Sequence, residues 1–125
     1  ACVMESIKTG KIEKVNIIRE SLMGGMSCGE PSLVPWEILK NSVDNCISLP
    51  DDNIGRAMKL FANASFSNDK IVAGENSAPG AISLITCCND EIIKKKINLN
   101  EISNVLLIGC EGDTDQDMYQ KLIKD

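Results

Sequence analysis

Val105-Leu106-Leu107-Ile108-Gly109-Cys110-Glu111-Gly112-Asp113-Thr114-Asp115 is the stretch whose reading decides the fold. An aliphatic run closed by glycines and small polar residues reads as a buried parallel strand, and Gln116 to Lys124 continues in a helical pattern. In open α/β sheets, ligands bind at the carboxyl ends of such strands. The turn after Gly109 therefore stands where chemistry is usually done, and its side chains are a thiol and carboxylates rather than plain spacers.

Outward from that turn, helical patterns alternate with short apolar runs, which makes the chain α/β. Ala1 to Lys8 has helical spacing and ends at Thr9-Gly10, as a glycine stop requires. Lys11 to Ile18 is too irregular to assign, and residues 21–31 form a glycine-rich connection. Pro35 is expected to open a helix to about Val43. Cys46-Ile47-Ser48-Leu49 is a short strand candidate stopped by Pro50. Asp51-Asp52 caps a helix with Ile54, Met58, Leu60 and Phe61 on its apolar face, and Asn63 to Asp69 is a polar loop. Ala81 to about Cys88 is a strongly apolar helix, and Asn89-Asp90 caps another, on which Lys94-Lys95-Lys96 forms a solvated face. No internal repeat, linker or internal domain boundary is visible across residues 1–125. Two confident strands with about five helices make a poor independent sheet, and Cys2-Val3-Met4 reads as helix interior. Both features suggest part of a larger fold.

The 125 residues are the length of one domain, with the 43% hydrophobic and 25% charged composition of an ordinary soluble protein. A net charge of −5 argues against nucleic acid or an anionic membrane as partner. No run approaches the roughly 20 apolar residues of a membrane span, and there is no signal-peptide pattern, so an intracellular, cytoplasmic location is expected. With 3% aromatic residues, the core must come from Ile, Leu, Val and Met. The chain has no histidine, which removes Ser-His-Asp and Cys-His catalysis and histidine-ligated metals. Its six cysteines lack C-x-x-C spacing and are expected to be mostly buried thiols.

Three segments set glycine beside an acid: Gly29-Glu30-Pro31, Gly74-Glu75-Asn76-Ser77 and Cys110-Glu111-Gly112-Asp113. Glycine permits close backbone approach, and a helix starting near Ser77 would present free amides and a positive dipole end. Such segments serve equally as turns and caps with solvated carboxylates; three in one small chain could instead converge on a pocket. Glu30, Glu75, Asp113 and Asp115 are hard oxygen donors suited to Mg²⁺ or Ca²⁺, although their spacing matches no EF-hand. Neither a P-loop nor a dinucleotide fingerprint occurs.

The ordered set Met23-Gly24-Gly25-Met26-Ser27-Cys28-Gly29-Glu30-Pro31 with Trp36-Glu37-Ile38-Leu39, then Gly74-Glu75-Asn76-Ser77-Ala78-Pro79-Gly80, then Glu111-Gly112-Asp113-Thr114-Asp115 closely resembles the diaminopropionate ammonia-lyase family. The resemblance runs over essentially the whole chain but corresponds to the C-terminal third of that family's length. It implies the C-terminal part of the large, pyridoxal phosphate (PLP)-binding domain of a tryptophan synthase β-like (fold type II) enzyme, with few parallel strands flanked by helices. It further implies a cytoplasmic homodimer acting on a small amino acid, 2,3-diaminopropionate. The Cα proton is lost, the β-amino group expelled, and pyruvate and two ammonia molecules released. The Schiff-base lysine, the acid/base aspartates and the phosphate loop would lie upstream, so no catalytic residue is expected here and the chain alone is expected to be inactive.

On the same resemblance, Cys110 takes the place of the serine or threonine beside the cofactor's pyridine nitrogen. A hydroxyl there leaves the ring unprotonated, and a thiol is a weaker donor still. Glu75 would line the ring pocket and Asn76 and Ser77 would shape its wall, with Gly109, Glu111 and Gly112 completing the cofactor side; Glu111 and Asp113 could instead brace the turn. Cys2 and Cys28 lie where the family can carry cysteine. A bond between them would close a loop of about 25 residues and stabilise by roughly 3 kcal/mol on the chain-entropy model, whereas a cytosolic compartment favours free thiols. The readings left open are another fold type II dehydratase or deaminase acting on threonine or serine, and a non-catalytic binding or assembly module of the same fold.

Overall fold

Gly10 has a φ of +75°, the left-handed conformation that ends a helix cheaply only at glycine, and its N–H closes onto Ser6 O at 2.8 Å. This stops α1 (Cys2–Thr9) where the sequence pattern placed it. The computed structural model describes residues 2–124 and divides into two compact units, within residues 1–48 and 49–125.

In the first unit, Ser6 is fully buried on α1, and burying a hydroxyl requires partners for it. Its Oγ donates to Cys2 O and accepts from Glu13 N, both at 2.8 Å, tying the helix to the irregular segment that follows. Gly24–Met26 forms a single 3₁₀ turn within the glycine-rich connection. The second helix, α2 (Leu33–Ser42), begins two residues before Pro35. Proline is tolerated there because N–H groups of the first turn have no helical acceptor in any case. Trp36 is the buried anchor of α2, while Leu33, Val34 and Ile38 are exposed.

The second unit is built on α3 (Ile54–Ala62), α4 (Pro79–Asn89), α5 (Glu91–Lys96) and α6 (Gln116–Lys124). A 3₁₀ turn, Asp51–Asn53, leads into α3, whose Ile54 and Met58 have no exposed surface and whose Ala57 is also buried. Leu60 and Phe61, expected on the same face, are half-buried. The most extensive helix packing is α3 against α6, which contributes the buried Tyr119. Gly55 makes this contact close, since a Cβ there would stand 2.9 Å from Leu122 O. Pro79 occupies the first position of α4, ahead of the expected start at Ala81. Asp90 caps α5, its Oδ1 accepting from Ile92 N at 2.9 Å and Ile93 N at 3.0 Å. Asp115 does the same for α6, accepting from Met118 N at 2.9 Å.

Two expectations about individual segments need correction. Val105–Gly109, read as a buried strand, is not buried, and among the described residues neither it nor Cys46–Leu49 carries a ladder of backbone bonds to a neighbouring strand. A strand's backbone donors and acceptors need a neighbouring strand, and the described residues supply none. The strand character of the segment survives in its alternation. Val105 and Leu107 are 47% and 39% exposed and line an apolar groove with Leu84 and Cys87 of α4, whereas Leu106 and Ile108 are 86% and 79% exposed. The cysteines also differ from expectation. Cys2 and Cys87 are buried, but Cys28, Cys88 and Cys110 are exposed, and all six are free thiols, Cys2 and Cys28 included.

Candidate functional site

Two of the three glycine–acid segments come together in the second unit, and Glu111 joins them. The 3₁₀ turn Glu75–Ser77 lies against the turn after Gly109. Gly74 N donates to Glu111 O at 3.0 Å, and Ser77 Oγ donates to the same carbonyl at 2.8 Å. Ser77 Oγ also accepts from Glu111 N at 2.8 Å, so one buried hydroxyl holds both main-chain groups of Glu111.

The Glu111 side chain returns the grip. Its Oε2 accepts from Asn76 N at 3.0 Å and from Asn76 Nδ2 at 2.7 Å, while Oε1 accepts from Thr114 Oγ1 at 3.1 Å. These bonds hold the carboxyl below the usual carboxylate range, the Asn76 backbone N–H acting most strongly and burial opposing it. Gly74 is required by space, because a Cβ there would collide with Gly112 O and stand 3.0 Å from Glu111 Cγ and Oε2.

Cys110 sits on the exposed side of this knot, its Sγ 4.0 Å from Asn76 O. Gly109 is exposed, and a Cβ on it would lie 3.3 Å from Ser77 Oγ; nothing lies within 4 Å of the corresponding position at Gly112. Glu75 is half-buried at the start of its turn. Of the nominated residues, Asn76, Cys110 and Glu111 are thus directly linked, with Gly109 and Gly112 in the same turn and Glu75 beside Asn76. Gly29-Glu30-Pro31 lies in the first unit, where Glu30 pairs with Lys14 at 3.0 Å. Among the described residues, no group of three or more Cys, Asp or Glu side chains is placed to hold a metal ion.

Sequence reasoning set Ser77 in a pocket wall and gave Gly74 no separate role; in the structure both build this turn. The signal was present in Gly74-Glu75-Asn76-Ser77, but only the pairing with Glu111 gives each residue its function. The exposed side of the knot presents a thiol able to donate, flanked by glycines without side chains. Asn76 Oδ1 is buried with no hydrogen-bond partner among the described residues.

The fold is that of part of a PLP enzyme of fold type II. More particularly, the chain is similar to diaminopropionate ammonia-lyase. It is 30% identical to the enzyme of Escherichia coli K12 over 98% of its own length, covering 31% of that protein. With the Salmonella typhimurium LT2 enzyme it shares 29% identity over 82% of its length, covering 26% of the relative. The solved Escherichia coli enzyme in complex with D-serine superposes with a TM-score of 0.82 at 31% identity, over 98% of this chain and 30% of that one. The same enzyme in complex with an aminoacrylate-PLP azomethine reaction intermediate also gives 0.82. The chain therefore spans about a third of the length of the relatives it matches. No protein-family model matches it.

Proposed function

We propose that this chain forms the cofactor-ring side of a PLP-dependent carbon–nitrogen lyase that carries out α,β-elimination on 2,3-diaminopropionate, giving pyruvate and ammonia. The observation that carries this reading is the match to solved diaminopropionate ammonia-lyase over 98% of the chain at a TM-score of 0.82. It is supported by the linked turn of Asn76, Cys110 and Glu111, which such a ring edge fits.

When bound, PLP supplies the electron sink that acidifies the Cα proton of an amino acid. The residues of this chain hold and orient. Cys110 would offer its thiol to the pyridine nitrogen, and a weak S–H donor there would leave the ring unprotonated. Glu75, Asn76 and Ser77 would form the pocket wall, and Gly109 and Gly112 would leave room beside the ring. Glu111 fixes the turn that carries them. The Schiff-base lysine, the acid/base groups and the phosphate loop come from the other two thirds of the enzyme. On this reading residues 1–125 act as one part of its PLP-binding domain, and without the remainder they are inactive. The working enzyme is a cytoplasmic homodimer whose partner molecule is an amino acid, with neither nucleic acid nor membrane involved. No described helix is long and apolar enough to cross a membrane.

An intact mass and the reading frame around this chain define the full-length protein, which is then incubated with PLP and 2,3-diaminopropionate. Release of pyruvate with two equivalents of ammonia is expected, with none from residues 1–125 alone. Turnover of serine or threonine without diaminopropionate would overturn the substrate assignment. Steady pyruvate release by residues 1–125 would overturn the division of roles.

A further inference from the structure

Asn76 Oδ1 is a buried acceptor with no partner among the described residues, while its amide nitrogen is spent on a carboxylate. An ionised carboxylate only accepts, so the Nδ2 end of the amide must face Glu111 and the oxygen must face away. Leaving a buried carbonyl oxygen unpaired is costly, and the structure accepts that cost to keep the Glu111 contact. Five hydrogen bonds of 2.7–3.0 Å join Glu111 to Gly74, Asn76 and Ser77. Cys110, next in the chain, contributes only a weak 4.0 Å contact to Asn76 O. The thiol cannot set its own position; its neighbour does.

We infer that Glu111 is a positioning residue for Cys110: by gripping Asn76 and Ser77 it holds the exposed thiol in one place at the turn, so that the cofactor ring meets a fixed donor. The inference rests on the reading of this turn as the ring side of a PLP site. Three of the bonds that Glu111 accepts at its carboxylate go to Asn76 and Thr114, within the two segments that it joins. Its carboxylate acts through these segments. A side chain that merely strengthened the turn would affect stability alike whatever stood at position 110, whereas a positioning role depends on the thiol being there.

The test is a double-mutant cycle in the full-length holoenzyme, combining Glu111→Gln and Glu111→Ala with Cys110→Ala. Three quantities are read: the visible absorption band of bound PLP, the kcat and KM for diaminopropionate, and hydrogen exchange at Asn76 N–H. With Cys110 present, both Glu111 variants are expected to shift the band and lower kcat roughly tenfold, the effect of one ordinary hydrogen bond, with KM little changed. The alanine variant should show the larger effect and faster exchange at Asn76. In the Cys110→Ala background the same changes should add nothing to band or kcat. Glu111→Gln keeps an acceptor and so remains informative if Glu111→Ala does not fold. Equal shifts in both backgrounds, or none in either, would overturn the inference. A parent protein with no PLP band would instead overturn the functional reading beneath it.

Discussion

Gly74→Ala gives the sharpest test of the knot, because two physical effects oppose each other there. Gly74 has φ −74° and ψ −179°, which alanine adopts without strain. If space allowed, the substitution would stabilise by about 0.4–1 kcal/mol, through reduced freedom of the unfolded chain. Space does not allow it. The new Cβ would collide with the backbone oxygen of Gly112 and crowd the Glu111 side chain at 3.0 Å. A backbone oxygen held in a hydrogen-bonded turn cannot rotate aside as a flexible side chain would. Relief requires the Glu75–Ser77 turn to move away from Glu111, which lengthens the 3.0 Å bond from Gly74 N and loosens those from Asn76.

Overpacking costs about 1–3 kcal/mol and one weakened hydrogen bond about 0.5–1.5 kcal/mol, so with the entropic gain of about 0.4–1 kcal/mol subtracted the net loss centres on about 2 kcal/mol. In urea unfolding followed by circular dichroism, that lowers the midpoint by about 1–2 M. Gly112→Ala is the control, since nothing lies within 4 Å of its Cβ position. It should leave the midpoint unchanged or slightly raised. A Gly74→Ala protein as stable as the parent would refute the close approach, and with it the account of why this turn needs glycine.

Met58→Ala removes a side chain with no exposed surface and should cost about 2–5 kcal/mol, read from the same urea midpoint. Asp90→Ala deletes a cap that accepts from two backbone N–H groups of α5 and should cost about 1 kcal/mol, with a small loss of helical ellipticity. Glu111 has a folded-state pKa below its ordinary 4.5, chiefly through the Asn76 N–H, so its contribution is fully present above the unfolded value and lost as pH falls through the lower folded one. Urea midpoints measured from pH 6 downward should therefore decline more steeply in the parent than in Glu111→Gln, and parallel curves would show that the carboxylate is not held.

The helices were legible because their signals are local. Gly10 ends α1, Asp90 caps α5, and the pattern from Gln116 to Lys124 matched α6. Pro35 misled by two residues because proline suits any position whose N–H is already unpaired, and the first turn of α2 offers several. The apolar run at Val105 misled in its burial. Its β-branched and aliphatic residues record a preference for a sheet, but a sheet is a property of neighbours, and no local signal says whether they are present. The site was half legible. Cys110, Glu111 and Asn76 stand out by residue type, whereas their joining across 34 and 35 positions depends on Ser77 and Gly74, whose small side chains announce nothing until Glu111 lies against them.

In a sheet, the register of a strand end is ordinarily set by its ladder of backbone bonds. The segment ending at Gly109 has no such ladder among the described residues, yet the turn beyond it is closely fixed. Glu111 binds it to Gly74, Asn76 and Ser77, and four residues on, Asp115 caps α6, which packs on the buried face of α3. The turn bearing Cys110 is therefore clamped at Glu111 and Asp115, with Thr114 bonded back to the Glu111 carboxylate between them. Positioning by side chain-to-backbone bonds inside one compact unit lets the geometry at Cys110 stand apart from whatever covers Leu106 and Ile108. If the thiol is the fixed donor proposed above, it needs that independence, because a donor must be held to within about half an ångström to serve a ligand.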